Sequence, residues 1–302
     1  AGRYLTSGQE SVLIGYQAGY TLTTGDANTA LGFAALYHNV TGNRNTAIGR
    51  GAGARFLNDD STALGYYAGH YASGSDNTFL GSYAGQGGTT SAPYSSGEKN
   101  TAVGYKALTA FTTGLQNTAI GYEAGMSLTT TEGNTAIGYQ SMRAATSAGG
   151  NIAIGKQSLA SLATGAYNIA IGQEALLGAD GAENNNVAIG PGSMGNVNND
   201  SSEQNIMIGR AAGLGGTGEL DRNVAIGTYA MDGTGTVAGQ QNIFIGDNTG
   251  GGSWTTAASN SNVAIGATAM SAALNGALGN TAVGHDTLKA LTSGDYNVAI
   301  GH

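Results

Sequence analysis

The chain contains no cysteine, so no disulfide framework holds it and no thiol chemistry is open to it. Proline occurs only twice and tryptophan once. Charge is scarce: Asp, Glu, Lys and Arg make up 10% of the residues, against roughly 25% in ordinary globular chains. That is too little charge, in too regular a pattern, for a disordered tail. What charge there is leans acidic, 11 Lys+Arg against 19 Asp+Glu, for a net −8. No basic footprint for a nucleic acid exists. No apolar run approaches the roughly 18 residues that cross a bilayer, and no basic amphipathic stretch suits its surface, so no membrane insertion is expected in this segment. Glycine is abundant, at 53 residues, but without the Gly-X-Y period of collagen.

What the chain does have is one phrase, Asn-x-x-Ile-Gly, cleanest as Asn117-Thr118-Ala119-Ile120-Gly121. It returns about every 17 residues, giving 17 copies read by their glycines from Gly15 to Gly301. Such self-similarity specifies a solenoid, one repeat array over residues 1–302. With the glycine as position zero, position −1 is Ile, Leu or Val and position −3 is Thr, Val or Ile in every copy. Position −2 is Ala in 13 copies and Leu13, Phe79, Met207 or Phe244 in the others. Alternation of this kind predicts a short strand. The reading that follows puts bulky −3 and −1 in the core and leaves Ala at −2 as a smooth outer face that another surface can approach. The glycine ends the strand through a positive φ or a close neighbouring backbone. Beyond it, +3 is small and +4 is Gly, Leu or Met in all 16 copies that reach so far; this leg is either a second short strand or one helical turn.

A 17-residue unit cannot bury its own apolar face, but stacked copies can. Stacking at about 4.8 Å per strand makes a rod on the order of 80 Å long. A coil this thin is expected to oligomerise along the rod. Asn at −4, present in 15 copies with Ser11 and Ser61 in the other two, is expected to form a structural amide ladder. Asn28, Asn45, Asn117, Asn134 and Asn151, with the turn residues Gly121, Gly138 and Gly155, represent this scaffold. Residue 1 already lies inside a repeat and His302 follows the last glycine directly, so the array is expected to be a piece of a longer fibre.

These residues resemble the head repeats of trimeric autotransporter adhesins, the YadA-like family, whose motif reads Asn-Ser-Val-Ala-Ile-Gly-x-x-Ser/Ala. Asn186-Val187-Ala188-Ile189-Gly190 with Ser193, and Asn297-Val298-Ala299-Ile300-Gly301, come close to it. The repeats are also similar to those of bacteriophage tail fibres. The resemblance implies a left-handed parallel β-roll, assembled as an elongated homotrimer and displayed extracellularly, on a bacterial cell surface or a virion. The family's Asn stands five before the glycine and its period is nearer 14, so no family ligand is carried over.

Irregular spacings are where binding is expected, since insertions in a solenoid fall on one edge. The widest runs from Gly81 to Gly104 and contains Tyr94; the next, Gly246 to Gly266, contains Trp254. These two aromatics are the candidate surface-binding residues, for a host-surface glycan or protein. Tyr16, Phe33, Tyr66, Tyr105, Tyr122 and Tyr139 at +1 are expected to stack as a ladder, with glycan binding as the alternative. Arg44, Asp60, Asp76 and Lys99 at −5 are expected to form a charge-compensated ladder; Asp60 with Asp76 is the only pair that could serve acid–base hydrolysis.

His38, His70, His285 and His302 show no ligand spacing. Asn196 to Asp200 is oxygen-rich without the calcium-loop pattern. No catalytic, cofactor or metal residue is assigned. The expected function is a non-enzymatic structural or adhesive fibre. The alternatives are a phage tail fibre that binds its host receptor or acts on surface polysaccharide, and an ice-binding solenoid.

Overall fold

The computed structural model describes residues 1–302, in two compact units, Ala1–Gly149 and Gly150–His302. The architecture is a parallel β-solenoid of about 17 coils with no helix. In the first unit eight three-residue strands run from Val12–Ile14 to Thr135–Ile137, one to each copy of the phrase. Each pairs in register with the next, −3 opposite −3 and −1 opposite −1, as in Thr101↔Thr118 and Val103↔Ile120. The second unit repeats this with nine strands, from Ile152–Ile154 to Val298–Ile300. It adds a ladder of three two-residue strands, Leu220–Asp221, Gly239–Gln240 and Ser259–Asn260. That ladder arises where coils lengthen to 18–20 residues and the turn before the phrase has room to extend.

The two strand faces are the reverse of the sequence reading. Position −2 is the one that points inward: Ala30, Ala47, Ala119 and Ala188 are fully buried. Positions −3 and −1 point outward, with Leu31, Leu64, Leu80 and Ile120 about two-fifths exposed. The core is instead an alanine column faced by Leu, Met and Phe from the second leg, including Leu36, Phe56, Leu108, Phe111 and Met142. An inward Ala lets the second leg approach the strand closely enough for a 17-residue coil to close.

The four copies without Ala at −2 support this assignment. Leu13, Phe79, Met207 and Phe244 are all accompanied by glycine at +4, namely Gly19, Gly85, Gly213 and Gly250. A Cβ on Gly213 would stand 2.6 Å from the Met207 sulfur, and one on Gly250 would stand 2.6 Å from the Phe244 ring. The two positions share one volume, and a large residue at one requires its absence at the other.

The second leg is neither strand nor helix. Its residues at +2 and +4 have φ between 47° and 67° in all 16 coils that reach them, glycine or not: Glu123 52°, Leu108 51°, Met142 48°. A left-handed residue at every second place keeps the chain turning without an i→i−4 bond, so peptide groups face the neighbouring coils. Glu123 N–H donates to Tyr105 O of the coil before at 2.9 Å, and Gly125 N–H to Ser141 O of the coil after at 2.9 Å.

The phrase glycine has two separate requirements. Its φ is between 125° and 148° in all 17 copies, a region closed to L side chains. A Cβ on Gly104 would also stand 2.5 Å from the carbonyl oxygen of Gly121 in the next coil. Gly121, Gly138 and Gly155 hold the same φ, at 138°, 131° and 137°.

Candidate functional surfaces

The Asn column is a buried hydrogen-bond ladder, as expected. Asn117 is 1% exposed. Its backbone N–H donates to Asn100 Oδ1 at 3.0 Å, and its Nδ2 donates to Thr131 O in the next turn at 2.8 Å. Its own Oδ1 accepts from Asn134 N–H at 3.1 Å. Asn28 and Asn45 repeat the arrangement with Gly42 O and Asn58 O, and Asn151 with Gly165 O. Ser61 does the same with one hydroxyl, donating to Gly74 O and accepting from Asn77 N–H. With donors and acceptors turned to neighbouring coils, these amides are scaffold.

Trp254 is 1% exposed and is a core residue, not a surface platform. Its ring meets the edge of Phe244 at 6.1 Å and fills the space above Gly239, where a Cβ would stand 2.8 Å from the indole. The longer coil folds its one large aromatic inward because burial of an indole outweighs its exposure on a loop. Trp254 also borders an open cleft of about 360 Å³ with Asp232, Gly233, Thr236 and Ser253. Burial raises the Asp232 carboxyl above its ordinary range.

Tyr94 is half-buried, with the Arg55 guanidinium 4.5 Å over its ring. Its loop rejoins the solenoid at once: Ser95 accepts from Ser73 N–H at 2.7 Å and donates to Tyr71 O at 3.1 Å. Tyr94 is therefore already engaged by its own chain, while Ser91, Ala92 and Pro93 remain exposed at the loop tip.

The +1 aromatics do stack. Tyr16 and Phe33 lie 5.4 Å apart, Tyr105 and Tyr122 5.3 Å, Tyr122 and Tyr139 5.3 Å. Two breaks in the +1 pattern are bridged by residues outside the sequence-based set. Arg50 inserts between Phe33 and Tyr66, at 5.4 and 6.0 Å from their rings. Tyr83 packs against both Tyr66 and Tyr105. The outer edge of the ladder stays open, Tyr16 being 69% and Tyr139 47% exposed.

At −5, the Arg44 guanidinium holds Asp60 through Nε at 2.6 Å and Nη2 at 2.8 Å, and also reaches Asp59 at 3.3 Å. The hydrogen bond from Arg44 keeps the Asp60 carboxyl below its ordinary range. Asp60 is thus tied to Arg44 rather than set in a pair with Asp76. What the sequence reading missed here is backbone: −5 has positive φ in all 17 coils, including Arg44, Asp60, Gln116 and Tyr167.

A second feature missed from sequence is a convergence of carboxylates. Asp180, Glu183 and Asp200 bring carboxylate oxygens within 4.8 Å of one another. No helix is long and apolar enough to cross a membrane. No protein-family model matches the chain, and no curated protein matches it.

Proposed function

We propose that the chain is a structural segment of a surface-displayed fibre, assembled from three copies through its outward strand face. The observation that carries this is the solvent-facing apolar column. Outward −1 positions such as Leu64, Leu80, Ile226 and Ile265 are 36–43% exposed, and Ile152, Ile206 and Ile243 add the −3 column in the second unit. No −3 or −1 residue in any copy is charged. Contiguous apolar surface of this kind marks an interaction face. Three is the number that the resemblance to trimeric adhesin heads and phage fibres implies; bacterial surface and virion are both compatible with it. Trp254 is buried and Tyr94 is half-covered by Arg55, so the open edge of the aromatic ladder is the surface this reading offers to a host-surface glycan or protein ligand. The reading is non-enzymatic, since Asp60 is occupied by Arg44.

The test is the mass in solution by sedimentation equilibrium. Three chains of 29.9 kDa each are expected, and a monomer at micromolar concentration would overturn the assembly.

One observation favours a second reading. Thr29 to Thr135 form an unbroken outward Thr column over seven coils, at strand spacing beside the −1 aliphatics. A regular Thr face of this kind suits ice. The same face cannot be both buried in a trimer and open to ice, so a trimer that leaves ice growth unchanged removes this alternative.

A further inference from the structure

Position −7 closes the turn before each phrase, and its carbonyl accepts the Asn Nδ2 of the coil before, as Gly42, Gly114 and Gly165 do. Nine of 17 copies have glycine there; the rest have Asn, Thr, Ala, Ser, Leu and, once only, a charged residue, Glu183. Its backbone carbonyl keeps the ordinary role, accepting from Asn168 Nδ2 at 2.8 Å. Its side chain, however, is fully buried. Oε2 accepts from Gly181 N–H at 3.1 Å, whereas Oε1 has no partner.

Two more carboxylates come to the same corner from consecutive turns. Asp180 precedes Glu183 in its own turn, and Asp200 comes from the turn of the next coil. Asp200 Oδ1 accepts from Ala182 N–H at 3.1 Å, and Asp180 Oδ2 accepts from Asn198 Nδ2 at 3.3 Å. Gly181 lacks the Cβ that would occupy the place of the Asp200 carboxylate. No Lys, Arg or His pairs with any of the three. A buried carboxylate oxygen with neither donor nor counter-charge is costly.

We propose that Asp180, Glu183 and Asp200 form a calcium site that clamps the turns of two consecutive coils. The donors are all oxygen, which selects a hard cation over zinc or copper. Their oxygens lie within 4.8 Å of one another, the widest separation that two ligands on one sphere of about 2.4 Å radius can have. Magnesium, at about 2.1 Å and near-ideal octahedral geometry, fits a turn-borne carboxylate set less well. Burial and the two neighbouring carboxylates also push the Glu183 carboxyl above its ordinary range, as expected of a buried carboxylate without a counter-charge.

The whole chain, stripped with EDTA and dialysed, is titrated with CaCl₂ and separately with MgCl₂ by calorimetry at neutral pH, alongside thermal melts. One calcium per chain and a raised Tm are expected, with little response to magnesium. Glu183→Gln and Asp200→Asn should each weaken calcium binding by about tenfold or more and shrink the Tm shift. In EDTA, Glu183→Gln should melt no lower than the parent chain, because it removes a buried charge and keeps the shape. Asp200→Asn changes an exposed side chain and guards against a folding failure of the first variant. No heat and no Tm shift in the parent would overturn the site. An undiminished calcium response in both variants would place calcium elsewhere and overturn it equally.

Discussion

At the level of single residues, stacking makes substitution costs depend on the next coil. Gly121→Ala meets both a φ of 138° and the carbonyl of Gly138. Gly192→Ala meets only a φ of 67°, with nothing within 4 Å of the new Cβ. The second should cost about 1–2 kcal/mol, the ordinary left-handed penalty, and the first clearly more; urea melts of the two variants make the comparison. Asn117→Ala removes the acceptor of Asn134 N–H and the donor to Thr131 O. Each buried group left unpaired costs roughly 1–3 kcal/mol. Asn117→Ser should lose less, because Ser61 serves one donor and one acceptor in the same column. The ladder was legible in the sequence because an amide at fixed register has few other uses. The direction of the strand faces was not. Alternation fixes which residues share a face, but −3, −2 and −1 are mostly apolar, so hydrophobicity does not choose the inner one. The signal that does choose was present in the pairing of large −2 with Gly at +4, as in Phe79 with Gly85.

Within an element, the coil is a fixed volume divided between strand and second leg. In the coil of Gly104, Ala102 at −2 and Leu108 at +4 are both fully buried. Ala102→Leu alone should overpack and destabilise by about 1–3 kcal/mol. Adding Leu108→Gly should restore most of that loss, since it recreates the Phe79–Gly85 arrangement and relieves a φ of 51°. A double-mutant cycle by denaturant melts reads the coupling directly; strict additivity would sink the shared-volume account. The second leg itself could not be read from composition. Left-handed places at +2 and −5 are filled by Gln, Glu, Lys, Asp and Tyr as well as glycine, so the usual glycine signature is diluted. The same elements bear the first unit's histidines. Burial, with Arg55 nearby, lowers His38 to about 4, and burial lowers His70, whose Nδ1–H donates to Gly51 O at 2.7 Å. A depressed folded pKa means that the unfolded chain takes up protons first. Stability is then full above pH 6.5 and falls as pH drops toward 4. His38→Gln with His70→Gln should flatten the Tm profile in that window. The lowered carboxyls of Asp60, Glu123 and Asp286 act with the same sign but at more acid pH.

Across the whole molecule, the open question is how the outward apolar face is covered, and the charge pattern bears on the answer. The chain carries a net −8, yet the −3 and −1 columns hold no charge in any coil. Association through that face would be driven by burial of Leu, Ile and Val, which is worth about 25 cal/mol per Å² of apolar area removed from water. Charge pairing across the contact would contribute little. Raising NaCl from about 0.05 to 1 M, a range over which the Debye length falls below about 4 Å, should therefore leave the assembled mass unchanged or strengthen it. Dissociation at high salt would instead point to contacts through the acidic turns. A local change separates the face from the fold. Leu64 and Leu80 lie side by side on adjacent strands and are 42% and 43% exposed, so Leu64→Lys with Leu80→Lys leaves the interior of each coil untouched. In a free chain the two ammonium groups reach water; in an assembly they are buried on every copy without a partner. The double variant should keep the circular dichroism of the parent and sediment as a single chain of 29.9 kDa. Ala119→Lys, aimed into the coil at the buried −2 position, should instead unfold its neighbourhood. If the surface pair left the mass at three chains, the outward strand face would not be the contact, and the aromatic edge formed by Tyr105, Tyr122 and Tyr139 would be the next surface to substitute.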